Sequence, residues 1–381
     1  MPAQYQTASL QIQDSLMKKI ISIVGARPNF MKIAPIHFEF LKYKDSVQHL
    51  ICHTGQHYDE KMSKIFFEDL NISRPDFFLG VGSGSHAVQT AGIMIEFEKV
   101  LIAENPDLVI VVGDVNSTIA CSLVAKKLNI PVAHIEAGLR SFDRTMPEEI
   151  NRILTDSISD FLFVTEQSGL DNLKNEGVDK SKIFFTGNVM IDSLIQNMGK
   201  IKASPVLASI GLEKTNYILC TLHRPNNVDS KSSLEKILEA LNSFAQKKKI
   251  VFPVHPRTRT KMKEFGIGHT LSENIIVTDP IGYIDFLCLI KNSSLIITDS
   301  GGIQEETTYL GVPCVTLRNN TERPVTISVG SNYLAGTDVS KLSKIVTDIL
   351  NGRVKKSHIP PLWDGKSAER ICKILANAKH A

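Results

Sequence analysis

No apolar run in the 381-residue sequence reaches the about 18–20 residues of a membrane-spanning helix. No membrane partner is therefore expected. The first 17 residues are polar and lack an apolar core, so they do not read as a secretory signal but as a loose extension. Cys-x-x-Cys is absent: the six cysteines, at positions 52, 121, 220, 288, 314 and 372, show neither a disulfide frame nor a metal site. Reduced thiols in a cytoplasmic protein are the simplest reading. Gly-x-x-x-x-Gly-Lys-[Ser/Thr] is missing, which speaks against phosphoryl transfer on a P-loop. Asp-x-Asp is missing too, which speaks against metal-dependent sugar transfer. A net charge of +3 makes no case for nucleic acid.

What is present is a globular composition, 43% hydrophobic and 22% charged, in a chain long enough for two domains. Short apolar runs alternate with longer amphipathic stretches. The runs include Ile20–Val24, Leu108–Val112, Val132–Ile135, Phe161–Thr165 and Ile183–Thr186. A second series comprises Tyr217–Cys220, Ile250–Val254, Ile275–Val277, Leu295–Thr298 and Pro313–Leu317. Continuous rather than alternating hydrophobicity marks strands covered on both faces, as in parallel sheets. The expected class is α/β, with two Rossmann-like doubly wound domains facing a cleft. A polar gap at 199–216 separates the two series, and a second break at 352–365 holds Pro360, Pro361 and the only tryptophan, Trp363. The expected division is an extension (1–17), an N-terminal domain (18–198), a C-terminal domain (199–365) and a final helix (366–381).

Several strands end in residues able to do chemistry, and ligands of open parallel sheets bind beyond those ends. Ile20–Val24 leads to Arg27, a candidate oxyanion fork, with Lys32 in the helix that follows. Leu108–Val112 leads to Asp114, Val132–Ile135 to Glu136, Tyr217–Cys220 to His223 and Arg224, Ile250–Val254 to His255, and Leu295–Thr298 to Asp299 and Ser300. Each has a plainer reading: Asp114 as a helix cap, Glu136 as a partner of Arg140, His223 as a structural histidine. Shared placement after strands favours a common site. Gly82-Ser83-Gly84-Ser85-His86-Ala87 matches a loose dinucleotide fingerprint but does not follow the first strand, so it reads as a loop near the cleft. Glu148 and Glu149 open another helix, where dipole complementarity accounts for them; one of them can also face the cleft.

Thr298–Glu306 is a strand, a turn on Gly301 and Gly302, and a helix start. Unpaired N–H groups at such a start seat phosphate. Glu306, one turn on, is placed for a ribose diol. An ordinary turn with Ser300 as N-cap is the competing reading.

Taken together, these segments resemble the non-hydrolysing UDP-N-acetylglucosamine 2-epimerases, from about Ile20 to the last helix. The resemblance rests on Gly25-Ala26-Arg27-Pro28, Thr54-Gly55-Gln56-His57, Gly113-Asp114, His134 to Arg140, Pro147-Glu148-Glu149-x-Asn151-Arg152, His223-Arg224, Pro253-Val254-His255, Asp299 to Glu306 and Thr321-Glu322-Arg323-Pro324. It implies a fold similar to the B-type glycosyltransferases, a cytoplasmic homodimer, and no metal or other cofactor. It implies interconversion of UDP-N-acetylglucosamine and UDP-N-acetylmannosamine by UDP elimination and re-addition. By motif match Asp114, Glu136, Glu148 and His223 are its catalytic residues. Arg27, Lys32, Phe286, Ser300, Gly301, Gly302, Glu306 and Arg323 would bind UDP or substrate. Gln56, His57 and His255 resemble a regulatory subsite. Two departures stand out. Pro225-Asn226-Asn227 follows His-Arg where a glutamate is usual, which removes the ground for expecting activation by substrate, and Asn29 replaces the usual glutamate after Arg-Pro. Thr321–Pro324 favours the non-hydrolysing over the hydrolysing class. Epimerisation of another UDP-acetamido sugar, glycosyl transfer on the same fold, and a catalytically silent nucleotide-sugar binder are the alternatives.

Overall fold

Runs such as Leu108–Val112 and Leu295–Thr298 are buried along their whole length, as strands with helices on both faces must be. The computed structural model describes residues 17–55, 72, 74–212 and 217–378, and of Arg27 only the backbone. The N-terminal half runs β1 (Lys18–Val24), α1 (Arg27–Phe40), β2 (Val47–His53), β3 (Phe77–Phe78), α2 (His86–Glu104), β4 (Leu108–Val112), α3 (Asn116–Lys127), β5 (Val132–Ala137), α4 (Pro147–Ile158), β6 (Phe161–Val164), α5 (Gln167–Asn175), β7 (Ile183–Phe185) and α6 (Val189–Gln196). The C-terminal half runs β8 (Tyr217–Thr221), α7 (Lys231–Ala245), β9 (Lys249–Pro253), α8 (Pro256–Glu264), β10 (Ile275–Thr278), α9 (Tyr283–Asn292), β11 (Leu295–Thr298), α10 (Gly301–Leu310), β12 (Cys314–Thr316), β13 (Asn332–Leu334), α11 (Val339–Leu350) and α12 (Ser367–Asn377).

Among the described residues all strand pairings are parallel. The sheet orders are β3-β2-β1-β4-β5-β6-β7 and β10-β9-β8-β11-β12-β13. Both reverse direction beside their first strand, so each has a switch point, β1/β4 in one and β8/β11 in the other. Among the described residues no helix is long and apolar enough to cross a membrane, and all six cysteines are free and buried.

Three strands are not in the expected runs: β2, the two-residue β3 and β13. β2 carries Gln48 and His49, which break its apolar character. His49 is accommodated because its ring meets Ser22 Oγ at 2.8 Å and His37 Nδ1 at 3.0 Å. In β13 the buried Asn332 accepts from Thr316 Oγ1 at 2.6 Å and donates to Gln304 Oε1 at 3.0 Å. The polar gap begins not as extended chain but as two short helices, Met198–Ala203 and Val206–Ser209, tied to α9 by Ser204 Oγ donating to Asp285 at 2.6 Å.

One apolar cluster joins the halves, from Val24 and Phe30 through Val189 and Leu194 to Leu287 and Ile303. The chain end closes it. α12 packs on α1, and Lys18 Nζ donates to the Leu375 carbonyl at 3.0 Å. Asp192 Oδ2 caps the start of α12 by accepting from Ala368 N at 2.7 Å. The segment before α12 crosses Gly187, whose φ of +87° and contact with Leu362 leave no room for a side chain: a Cβ there would lie 2.1 Å from the Leu362 carbonyl oxygen. Trp363 fills a pocket with Ile191 and Val325, one from each half, and its Nε1 donates to the Thr165 carbonyl at 2.9 Å.

Trp363→Phe keeps most of this packing but leaves the buried Thr165 carbonyl unpaired. The expected loss is about 1–3 kcal/mol, read from urea-unfolding midpoints by circular dichroism. Trp363→Ala adds a cavity and should cost about 3–5 kcal/mol.

Candidate active site

The strand ends of the two switch points face one buried, ion-rich seam. Asp114 follows β4 but does not cap α3, whose N-cap is Val115. Its Oδ2 lies 2.5 Å from Arg152 Nη2, and Asn151 donates to its carbonyl at 2.8 Å. Burial pushes its carboxyl up, but Arg152 and then Lys32 outweigh this, and it sits below the usual carboxylate range. Asn29 braces the neighbouring turn. It accepts from Gly25 N and Ala26 N at 3.2 and 2.8 Å and donates to the Val112 carbonyl at 3.1 Å. A glutamate in its place has no N–H for that last bond.

Glu136 stands where β5 bulges between Ile135 and Ala137, with φ of +70°, left-handed for a non-glycine residue. The bulge places its carboxylate 2.5 Å from Lys32 Nζ and 3.6 Å from Arg323 Nη2. It is 2% exposed, and its Oε1 has no protein hydrogen-bond partner. The plainer pairing with Arg140 is not formed: Arg140 binds Asp156 and Glu176, each at 2.7 Å. His134 joins Asp156 at 2.6 Å to the Gly113 carbonyl at 2.8 Å, so a buried acid–imidazole pair supports the backbone beside Asp114.

The two acids of α4 separate. Glu149 is buried, accepts from Ser141 N and Phe142 N at 2.8 and 2.9 Å, and holds Arg152 Nη1 at 2.7 Å. Glu148 is half-buried. It lies one turn before Asn151 and Arg152, the two residues that touch Asp114, and so shares their helix face.

From the other half, α10 begins at the end of β11. Ser300 is its N-cap residue, yet no side chain caps the first amides. Gly301 is packed against the next motif, where a Cβ would meet Glu322 Oε1 at 2.9 Å and Arg323 Nη1 at 3.2 Å. Gly302 faces Met190 of α6. Arg323 is the hub. Its Nε lies 2.7 Å from Glu305, its Nη1 2.5 Å from Glu322, and its Nη2 reaches Glu136. Glu322 also pairs with Arg318 at 2.7 Å and lies 3.9 Å from Arg152.

His223 lies beside this cluster, half exposed. Its Nδ1 is 2.7 Å from Asp299 Oδ1, which leaves Nε2 as the outward nitrogen. Asp299 also accepts from the backbone of His223 and Arg224 and from Asn227 Nδ2. Burial raises the Asp299 carboxyl, but these bonds, led by His223, bring it below its ordinary value. His255 is the N-cap of α8, its ring 5.5 Å from that of His223. Phe286, half-buried in α9, packs on the shared core. Glu306 is buried beside Tyr283. Gln56 and His57 lie outside the described residues, as does the Arg27 side chain.

The structure thus brings Lys32, Asp114, Glu136, Gly301 and Arg323 together, with His223 at the edge. The sequence reading left Glu149 undistinguished from Glu148 and missed Arg152, Glu305 and Glu322. Each stands within one turn of a residue that reading picked out, but an ion pair between distant segments leaves no local signal.

Two α/β halves with an acid-rich seam between their switch points define a Rossmann-like protein with a fold similar to the B-type glycosyltransferases. A UDP-glucosyltransferase from Polygonum tinctorium, 11% identical with a TM-score of 0.60 over 95% of this chain and 99% of its own, shares that fold. The profile of the UDP-N-acetylglucosamine 2-epimerases matches residues 40–376, and the chain belongs to that family. It is 48% identical over 371 residues to the UDP-N-acetylglucosamine 2-epimerase of Methanocaldococcus jannaschii, covering 95% of this chain and 100% of that one. The crystal structure of the M. jannaschii enzyme in complex with UDP-GlcNAc and UDP superposes with a TM-score of 0.87 at 47% identity, over 94% of this chain and all of that one. The UDP-2,3-diacetamido-2,3-dideoxy-D-glucuronate 2-epimerase of Pseudomonas aeruginosa is 44% identical over 362 residues, 94% of this chain and 99% of that one.

Burial pushes the Glu306 carboxyl up to about 8, opposed by Tyr283 and reinforced by Glu305. The unfolded chain releases this proton near pH 4.3, roughly, while the folded protein keeps it. Stability is therefore lost as pH rises from about 4 to about 8, and the loss is complete above that window. Glu306→Gln removes the effect. Its urea midpoint, relative to wild type, should rise between pH 5 and pH 8.

Proposed function

We propose that the protein interconverts UDP-N-acetylglucosamine and UDP-N-acetylmannosamine without hydrolysis, supplying activated sugar for surface polysaccharide synthesis. One observation carries the reading: the acids of one half and the uncapped helix start of the other meet at Arg323, within 3.6 Å of Glu136 and against Gly301. A bare phosphate seat would suit any nucleotide sugar. Carboxylates reaching the same point add proton transfer where the C1–O bond breaks.

The sugar C2–H is weakly acidic and no carbonyl adjoins it in the ring, so simple deprotonation would build a costly carbanion. Elimination avoids this. Asp114 takes the C2 proton, the C1–O bond breaks, and the electron pair leaves with UDP to give 2-acetamidoglucal. UDP then returns to C1 while C2 receives a proton on the other face. Glu136 and Glu148 are the candidates for that delivery. Asp114, held ionised by Arg152, is in the state a base requires. His223, oriented by Asp299, presents Nε2 to the leaving diphosphate. The amides at Ser300, Gly301 and Gly302, with Arg27, Lys32 and Arg323, stabilise its charge. Phe286 and Glu306 hold the uridine and ribose. Lys32 pairs with Glu136 in this structure, so its phosphate contact requires it to turn from that carboxylate or to bridge both.

In deuterated water, NMR should show UDP-N-acetylmannosamine carrying deuterium at C2, with trace UDP and glucal. Free N-acetylmannosamine as main product would select hydrolysis, and tight UDP binding without exchange would sink this substrate. Asp114→Asn should lower deuterium uptake by at least about a hundredfold and leave UDP affinity within about threefold. The P. aeruginosa relative favours a second reading, a 2,3-diacetamido uronic acid sugar. Running both sugars side by side decides between them.

We also propose a homodimer formed through α2. Its large exposed apolar residues, Val88, Ile95 and Ile102, are exposed by 68%, 59% and 69% and lie evenly spaced about Ile95, flanked by exposed Ala87, Ala91, Lys99 and Ala103; His86 and Glu98 are exposed on the same helix. A two-fold axis at Ile95 sets Val88 against Ile102 of a second copy, as a self-complementary interface requires. Light scattering should give a dimer for wild type and a monomer for Ile95→Glu. A dimer in both would place the interface elsewhere.

A further inference from the structure

Arg152 is shared between the halves. Its Nη1 holds Glu149 at 2.7 Å, and its Nη2 lies 2.5 Å from Asp114 and 3.9 Å from Glu322. Glu322 comes from the C-terminal half and is almost fully buried. It is fixed by Arg323 at 2.5 Å and Arg318 at 2.7 Å, and its Oε1 stands 2.9 Å from the Cβ position of Gly301. One carboxylate therefore touches the helix start proposed for the diphosphate and also the guanidinium that holds the proposed base.

We propose that Glu322 is a positioning residue that couples occupation of the anion seat to the basicity of Asp114 through Arg152. This rests on the reading of Asp114 as the C2 base. Arg152 has one charge to divide between acids of both halves. With Glu322 drawing on it, Asp114 keeps part of its proton affinity. Without Glu322 the guanidinium belongs to Asp114 and Glu149, and the base weakens. The groups facing Asp114 are Arg152 from α4, Lys32 from α1, and Glu322 and Arg323 from the other half. Glu148 lies one turn before Arg152. Glu322 is faced by Arg318, Arg323 and Arg152. Of the charges near Asp114, Glu322 opposes the lowering of its pKa and the cations produce it. A diphosphate at the first amides of α10 adds negative charge beside Glu322 and competes with it for Arg323. The leaving group and the base are linked in this way by charge, with no direct contact between them.

The test compares Glu322→Gln, Glu322→Asp and Asp114→Asn in the full-length protein, with C2 deuterium exchange for kcat and KM and calorimetry for UDP binding. Glu322→Gln should lower kcat by at least about tenfold, with UDP affinity equal to wild type or tighter, because a repulsive charge has left the seat. Glu322→Asp, which keeps the charge, should recover most of the lost kcat. A kcat within about twofold of wild type in Glu322→Gln overturns the proposal, as does a fall in kcat matched by an equal loss of UDP affinity. If Glu322→Gln does not fold, Arg318→Gln serves: it frees Glu322 to draw Arg152 away from Asp114, so kcat must change while UDP affinity holds, and an unchanged kcat overturns the idea. Persistent exchange in Asp114→Asn removes the base assignment and this inference with it. A dead Asp114→Asn beside a fully active Glu322→Gln removes this inference alone.

Discussion

The Arg323 guanidinium holds the two halves together chemically. It meets carboxylates of Glu305, Glu322 and Glu136, all buried. Burying one unpaired carboxylate costs several kcal/mol, and removing the partner of a buried pair is typically a loss of about 3–5 kcal/mol. Three such acids from three segments are tolerable only around a cation with a planar fork of donors, which arginine has and lysine lacks. The fork aligns α10, the loop before the short helix Val325–Ser328, and the β5 bulge. The bulge, the positive φ of Glu136 and the absence of a side chain at Gly301 all serve that convergence.

The same cations divide the acids by protonation state. Asp114 and Glu322 are pressed below the ordinary carboxylate range because guanidinium groups outweigh burial. Glu306 and Glu166 rise, to about 8 and about 7, because burial dominates where cations are fewer. Their different environments thus push these carboxyl groups to opposite protonation preferences near neutral pH. Glu166 lies at a contact between the halves, accepting from Ser168 Oγ at 2.7 Å and from Val325 N at 3.4 Å.

Much of the fold was legible because burial on both faces writes itself as unbroken hydrophobicity. β1, β4, β8 and β11 show it. β2 and β13 did not, since His49 and Asn332 are polar residues whose partners come from other segments. Asp114, Glu136 and His223 could be marked because they follow strands or sit in ordered motifs. Glu149 could not be told from Glu148 by composition: the distinction is which face of α4 meets the loop at Ser141 and Phe142. Asp299 was visible as a strand end, but its grip on His223 depends on β8 and β11 being neighbours.

By itself the sequence determined the class of fold, most of the strands and the residue types gathered at their ends, because periodicity and motif order are local properties that survive in one dimension. Tertiary structure alone decided which acid is paired, which is left with a buried unpartnered oxygen, and that Arg152 and Arg323 tie one half to the other. Charge interactions fall off with distance in space rather than along the chain, so those decisions exist only once segments more than a hundred residues apart have met.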